Sequence, residues 1–318
     1  VSEAEAIGVD LGGTKMLLGA LTGEADVAWE SREASTGQGE EELVDLLIRE
    51  VEEARAARPG VEAIGLGIPA TIDHEKGIAL AAVNLPIENL PIRDLVQQRT
   101  GLPVFVDNDA NVAALAEHRF GAGRGTRDMV MLTIGTGIGG GLILDGEIFR
   151  GSSGAGAELG HLVIEMDGLP CQGNCPNRGC VETYASGTAL GREGRAAAER
   201  EPASALGAML ADGNPVDGKA VTEAALGGDG TAIGVFDLVG GRLGVALASL
   251  ANLFEPETFV IGGGVMAAGD LLLEPARREL AARALTPMNR TPVVAAELGQ
   301  DAGMIGAAAM ARIELERG

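Results

Sequence analysis

Positive charge is scarce in this chain. Its 318 residues carry 24 Lys and Arg against 46 Asp and Glu, a formal net charge of −22. Lysine occurs only at positions 15, 76 and 219. With no Lys/Arg-rich tract to neutralise phosphates, nucleic acid is not an expected partner. Aromatic residues make up only 3%, so a core must be built from Ala, Val, Ile and Leu. The three cysteines cannot all pair within one chain, which disfavours an exported disulfide scaffold. No apolar run approaches the ~20 residues that cross a bilayer. The acidic start, Val1-Ser2-Glu3-Ala4-Glu5, has no secretory pattern. The expectation is a cytoplasmic protein without a membrane partner.

Apolar residues reach 46%, enough for a folded globular protein, and the length suits two domains with separate cores. The 49 glycines cluster at the ends of apolar runs, as in tight turns and phosphate loops. Two segments, 7–21 and 130–144, each read as apolar strand, glycine turn, apolar strand. Aligned, Asp10 meets Thr133 and Gly12 meets Gly135, suggesting two related halves that each open with a glycine-tipped hairpin. Elsewhere helices are expected over 40–57, 110–120, 232–254 and about 303–316, the last buried on one face. Strands are expected over 63–68, 102–106 and 259–261. Residues 188–228 read as mostly helical and offer no chemistry.

Residues 135–140, GTGIGG, formally match a dinucleotide fingerprint, but Leu142-Ile-Leu144 continues as strand where that fold needs a helix. No GxxxxGK[ST] motif is present. Two glycine hairpins holding a nucleotide fit better, since glycine lets backbone N–H groups approach phosphate oxygens. Lys15 either touches a phosphate or points to solvent. At 107–109 an apolar strand ends in Asp-Asn-Asp before a helix, where α/β proteins place ligands. Asp109 there is either a helix cap or a base that takes a hydroxyl proton while Asn108 orients the alcohol.

All three cysteines fall within ten residues, and with His161 they make H-x9-C-x3-C-x4-C. One imidazole and three thiols suit a tetrahedral Zn²⁺ in a closed, structural site; the alternative is a disulfide with a spare thiol. Gly173 and Gly179 permit the tight loop. A metal holding His161 and Cys180 together would also bring Glu158 near Glu182, a pair suited to a polyhydroxylated ligand unless both simply face water. His74 and His118 lack partners at ligand spacing and read as ordinary surface or helix residues.

The segments IGVDLGGTK (7–15), GIPATID (67–73), NLP (84–86), VDNDANVAALAE (106–117), TIGTGIGGG (133–141), GAELGH (156–161), NRGCVETYASG (177–187) and VIGGGV (260–265) resemble the ROK family of sugar kinases and sugar-responsive repressors, most of all its bacterial glucokinases. The resemblance implies an α/β, actin-like ATPase (ribonuclease H-like) fold of two α/β domains around a cleft. A smaller domain over 1–118 plus 301–318 and a larger one over 119–300, carrying the zinc loop, are expected. It implies ATP and Mg²⁺ at Asp10, Gly12, Gly13, Thr14, Lys15, Thr136, Gly137, Gly262, Gly263 and Gly264. The catalytic base maps to Asp109, and the sugar ligands to Asn108, Glu158, His161 and Glu182, with Gly67 and Asn84 in segments lining the sugar pocket. Zinc maps to His161, Cys171, Cys175 and Cys180.

The implied activity is ATP-dependent phosphorylation of glucose in a homodimer or homotetramer. The alternatives are a kinase for mannose, fructose, N-acetylmannosamine or N-acetylglucosamine, or a sugar-sensing regulator. The −22 charge and the nine residues before Asp10 speak against the regulator. The absence of a basic groove favours ATP over polyphosphate. Two departures stand out. The family pattern C-x-C-G-x2-G-C is widened by two residues in its first gap, with Pro176 in place of Gly, which leaves the loop's path open. Ala70 replaces the usual Gly and narrows the pocket by a methyl group.

Overall fold

The computed structural model describes residues 5–23, 25–82, 84–173 and 175–317; the acidic start at 1–4 and Asn174 of the widened cysteine loop lie outside the described residues. The chain opens with β1 (Glu5–Leu11), β2 (Lys15–Thr22), β3 (Asp26–Ala34), α1 (Glu40–Ala57) and β4 (Val61–Ile68). Short strands β5 (Ala70–Asp73), β6 (Ile78–Ala82) and β7 (Glu88–Leu90) follow, then α2 (Ile92–Thr100), β8 (Val104–Asn108) and α3 (Asp109–Phe120). Next are β9 (Met129–Ile134), β10 (Ile138–Leu144) and β11 (Glu147–Ile148), then α4 (Val181–Ala185), α5 (Gly187–Arg200), α6 (Ala205–Ala211) and α7 (Gly218–Leu226). The chain ends with α8 (Gly230–Phe254), β12 (Thr258–Gly262), α9 (Asp270–Arg283), β13 (Val293–Ala295) and α10 (Ala302–Arg317).

Among the described residues the strands form sheets ordered β3-β2-β1-β4-β8 and β11-β10-β9-β12-β13, with a smaller sheet β5-β6-β7. Both large sheets have the same logic. In the first, β4 runs parallel to β1 and β8; in the second, β12 runs parallel to β9 and β13. The chain divides into two compact units. The first contains Val1–Gly125, Gly141–Ala157 and Glu297–Gly318, and the second contains Thr126–Gly140 and Glu158–Ala296.

Helix α1 coincides with its expected span. Leu43, Leu46, Leu47 and Val51 recur at helical spacing and are buried, while Glu42 turns back to accept the Gly39 N–H at 2.8 Å. In the first unit α10 packs on β1, β2, β4 and α3. It is buried all round from Ala302 to Arg312, more than the one face expected. The cause is glycine. A Cβ on Gly8 would fall 1.9 Å from the Met304 carbonyl oxygen, and one on Gly65 would fall 1.8 Å from that of Ala307. The helix backbone therefore rests on strand backbone, and a chain with few aromatics fills its core by close approach. Arg312, 2% exposed, ends this contact by donating to the carbonyls of Leu21 and Gly23.

In the second unit α8 corrects an expectation: at 25 residues it is long and apolar enough to span a membrane by length and composition. It is a core helix instead. Phe236, Val239, Leu243 and Leu247 are fully buried, and α9 lies along it. Gly240 and Gly244 admit the α9 backbone, because a Cβ on either would fall about 2.5 Å from the Leu272 or Ala276 carbonyl oxygen.

These packing distances separate glycines that must be glycine from those that need not be. Gly65→Ala should destabilise the protein by about 3 kcal/mol through overpacking against α10. Gly234, exposed in α8 with nothing within 4 Å of its Cβ position, should stabilise it by about 0.5–1 kcal/mol when changed to Ala. Urea unfolding of the two variants checks both signs.

Candidate active site

In the first unit three parallel strands end together. Register pairs Asp10 with Gly67 and Gly67 with Asp107, while Ile68 pairs with Asn108. This puts Asp10, Asn108 and Asp109 at the carboxyl ends of β1 and β8 and the start of α3. Gly67 is needed there because a Cβ would meet the Val112 side chain at 2.6 Å. The cap of α3 is Asn108, not Asp109: its Oδ1 accepts the N–H groups of Ala110 at 2.9 Å and Asn111 at 3.3 Å. Its Nδ2 donates to the Ala70 carbonyl at 3.3 Å. Asn108 is thus engaged by its own helix, and Asp109, half-buried, leaves the capping role to it and accepts the adjacent Ala110 N–H at 2.9 Å.

Asp107, 1% exposed, holds this corner. Its Oδ1 accepts the Asn108 N–H at 2.7 Å and the Asn111 amide at 2.9 Å, and its Oδ2 accepts the Arg150 Nε–H at 2.6 Å. The sequence marks Asp107 only as part of the polar run 107–109, and it gives no sign of Arg150 as its partner, since their 43-residue separation carries no local signal.

The first glycine turn joins β1 to β2. Ser35 pins it, donating Oγ–H to the Gly12 carbonyl at 2.6 Å and N–H to that of Thr14 at 3.2 Å. Gly13 abuts Asn84, whose Cβ lies 2.8 Å from where a Gly13 Cβ would be. Thr14 and Lys15 are exposed, and Lys15 donates to Gln300 Oε1 at 2.8 Å. Asp10 is the electrostatic centre of the row. Burial first, and the charge of Asp109 second, push its carboxyl up to about 7, with Lys15 pulling the other way. The start of α10 comes close, as a Cβ on Gly303 would fall 2.8 Å from the Asp10 carboxyl.

In the second unit the other glycine turn, between β9 and β10, is held by the entry to α5. Gly187 donates its N–H to the Gly135 carbonyl at 2.8 Å, and Thr188 donates Oγ1–H to that of Thr136 at 2.8 Å. Gly263, at φ +89°, continues the same surface; a Cβ there would fall 2.4 Å from the Ile134 carbonyl oxygen. Gly262 is buried at the end of β12, whereas Gly263 and Gly264 are exposed. A groove of about 690 Å³ runs between these turns and α7, lined by Thr136, Thr188, Lys219, Thr222 and Gly264 among others. That is ample for a nucleotide-sized ligand. The stretch 188–228, read from sequence as lacking chemistry, therefore forms one wall of the groove.

The cysteine loop lies in the same unit. Ligand atoms of His161, Cys171, Cys175 and Cys180 all lie within 4.8 Å of one another. Cys171 Sγ is 3.5 Å from His161 Nδ1, and Cys175 Sγ is 4.0 Å from Cys180 Sγ. Tetrahedral Zn–S bonds of ~2.3 Å put sulfurs about 3.7 Å apart, so the set fits such an ion with little movement. Burial, then Cys171 and Cys175, push the Cys180 thiol up to about 12, a cost that a bound dication would reverse. The loop is closed by backbone: Cys171 N–H to Asn177, Gly179 N–H to Leu169 and Val181 N–H to Leu162. Gly179, at φ +75°, is obligatory, since its Cβ would fall 1.6 Å from the Glu165 carbonyl oxygen. Leu169 also donates its N–H to the Tyr184 hydroxyl at 2.7 Å.

Glu158 is exposed at the start of the 3-10 turn Leu159–His161, which packs on α4. Glu182, half-buried in α4, accepts the Ile138 N–H at 2.8 Å and fills the space beside Gly137. One of its oxygens is thus committed to the glycine turn. His74 Nδ1 lies 3.1 Å from the Val106 carbonyl, and His118 is buried in α3.

Residues 6–314 match the ROK family. The chain belongs to the ROK family. A glucokinase from Streptomyces coelicolor is 40% identical over 313 residues, covering 96% of this chain and 97% of that protein. The crystal structure of a ROK family glucokinase from Streptomyces griseus in complex with glucose and AMPPNP is 39% identical, covers 97% of this chain and 99% of its own, and superposes with a TM-score of 0.84. A ROK hexokinase structure from Thermus thermophilus gives 36% identity, 99% and 100% coverage and a TM-score of 0.81. The fold is accordingly the actin-like ATPase fold of ROK glucokinases, and the two like-ordered sheets are its duplicated halves.

Of the residues implied by the ROK resemblance, Asp10, Gly12, Gly13, Thr14, Lys15, Gly67, Asn84, Asn108 and Asp109 lie in the first unit. Thr136, Gly137, Glu158, His161, Glu182, the cysteines and Gly262 to Gly264 lie in the second.

Asp10 gives this ROK chain a pH signature. Its folded pKa of about 7 exceeds the usual 3.8, so the folded state favours the neutral carboxyl. That stabilisation is complete below about pH 4 and is lost as pH rises through about 7. In metal-free buffer, wild type should lose on the order of 2–3 kcal/mol relative to Asp10→Asn between about pH 5 and pH 8. Urea unfolding across that range checks this; parallel curves would mean that Asp10 titrates normally.

Proposed function

We propose that the protein transfers the terminal phosphoryl group of ATP to the 6-hydroxyl of glucose. The observation that carries this reading is the likeness, over 97% of the chain, to a glucokinase whose structure holds glucose and AMPPNP. The carboxyl-end cluster of Asp10, Asn108 and Asp109 and the nucleotide-sized groove support it.

Asp109 takes the proton of the attacking hydroxyl as the new O–P bond forms and the bond to the leaving ADP oxygen breaks. Asn108, capping α3, fixes the direction in which Asp109 emerges. Backbone N–H groups of the turns at 12–14 and 135–137 face the phosphates, where small residues let them approach. Asp10 would hold Mg²⁺ through water, and that ion would offset phosphate charge when bound. Glu158 and the remaining oxygen of Glu182 accept sugar hydroxyls, the ring N–H of His161 donates to a sugar oxygen, and Gly67 and Asn84 shape the pocket. Closure of the protein around the sugar excludes water that would otherwise hydrolyse ATP. The thiolates of Cys171, Cys175 and Cys180 and the imidazole of His161 would hold a structural Zn²⁺; the ion would stiffen the loop and take no part in the chemistry.

A coupled ADP-release assay across glucose, mannose, fructose, N-acetylglucosamine and N-acetylmannosamine should give glucose the highest kcat/KM. A different preferred sugar would reassign the substrate, and no turnover with any sugar would remove the kinase reading. Asp109→Asn should lower kcat by about 10³-fold while glucose still binds by calorimetry; near-normal turnover would rule Asp109 out as the base.

Elemental analysis of the purified protein should find one zinc per chain. Stripping it with a chelator should lower the melting temperature and raise the glucose KM. Metal-free protein with unchanged stability would refute a structural ion.

A further inference from the structure

Glu117 lies two turns beyond Asp109 on α3 and is fully buried, at 0% exposure. Its carboxylate is held by backbone. Oε2 accepts the N–H groups of Ala122 at 2.9 Å and Glu297 at 3.1 Å, and Oε1 accepts that of Leu298 at 2.7 Å. Its own carbonyl accepts the N–H groups of Gly121 at 3.1 Å and Gly123 at 3.0 Å. Gly121 has no room for a side chain, since its Cβ would fall 2.0 Å from Glu117 Oε2.

These partners are not scattered. The chain leaves the first unit after Gly125, re-enters it for Gly141–Ala157, and returns for the last time at Glu297. One carboxylate therefore ties the outgoing segment 121–125 to the returning segment 297–298 across 180 residues of sequence. Both segments carry glycine at positive φ just past the tie, Gly125 at +87° and Gly299 at +58°. A fixed knot flanked by permissive backbone is how a few residues absorb a rotation. A buried carboxylate suits the knot because it can accept several N–H groups at once, whereas an amide offers one oxygen and turns a donor towards the others.

We propose that Glu117 is a positioning residue at a pivot: it fixes the first and last of the places where the chain crosses between units and, through the rigid length of α3, ties Asp109 to that pivot. The use made of the pivot, closure on a sugar, rests on the sugar-kinase reading; the tie itself does not.

The test uses the full chain and two readouts. In wild type, the amides of Ala122, Glu297 and Leu298 should exchange with deuterium at least tenfold more slowly than those of the exposed turn at 37–39. Glu117→Gln should abolish that protection, lower kcat at least tenfold and raise the glucose KM. The amides of α8 should exchange as in wild type, because that helix lies wholly in the second unit; general destabilisation would speed them too. Glu117→Asp, which keeps the charge but shortens the reach, should fall between the two. The proposal is overturned if the wild-type amides are unprotected, if folded Glu117→Gln keeps kcat and glucose KM within twofold of wild type, or if the α8 amides lose protection in step with those of Ala122, Glu297 and Leu298. Should Glu117→Gln not fold, Glu117→Asp and wild-type exchange decide. A wild type inert to every sugar sinks the kinase reading, and the exchange measurement still decides the tie.

Discussion

The second unit depends on five residues of helix. Cys180 stands at the entrance of α4, Glu182 reaches from its first turn to the Ile138 N–H, and its end leads through Ser186 into α5. From there Gly187 and Thr188 grip the carbonyls of Gly135 and Thr136. A metal ligand, a carboxylate and both holds on the glycine turn are thus within nine residues of chain. So short a helix has little intrinsic stability. It stands because the cysteine loop anchors one end, and Tyr184, under the guanidiniums of Arg192 and Arg242, packs it from within. An ion in the loop would act on the groove through this segment without touching it.

The first unit meets a different difficulty, the gathering of acidic groups. Asp10, Asp107 and Asp109 sit at neighbouring strand ends, and like charges so close are costly. Each is treated differently. Asp107 is neutralised by Arg150 and by hydrogen bonds; Asp10, half-buried, is drawn towards its neutral form; Asp109 keeps partial exposure. A carboxyl held towards its neutral form beside one that keeps its exposure is raw material for acid–base chemistry.

Much of this was legible in the sequence. Helix α1 follows from leucine spacing, the paired hairpins from their glycines, and the zinc-type cluster from one histidine and three cysteines gathered within twenty positions. What escaped notice has a common physical cause. The wall of the groove at 188–228 acts through backbone and small side chains, whose composition is that of any packed helix. Asn108 and Asp109 are both good caps, and only the geometry of the first turn chooses Asn108. Arg150 and Glu117 meet partners 43 and 180 residues away, and one chain gives no sign of pairings at that range. The reach of α8 was underrated because Asp237 and Arg242 interrupt a run that is still apolar enough as a whole.

The seat of α10 has a consequence for how the molecule is made. Strands β1, β2 and β4 present glycine and small apolar residues to a helix encoded some 240 residues or more downstream. While a ribosome is still producing the intervening segments, that side of the first sheet has no cover, and its partner does not yet exist. The second unit, by contrast, is almost complete once β13 has emerged. Newly made protein therefore has a reason to consolidate its middle before its beginning, with the earliest strands held in waiting, and exposed to misassociation, until the final helix arrives.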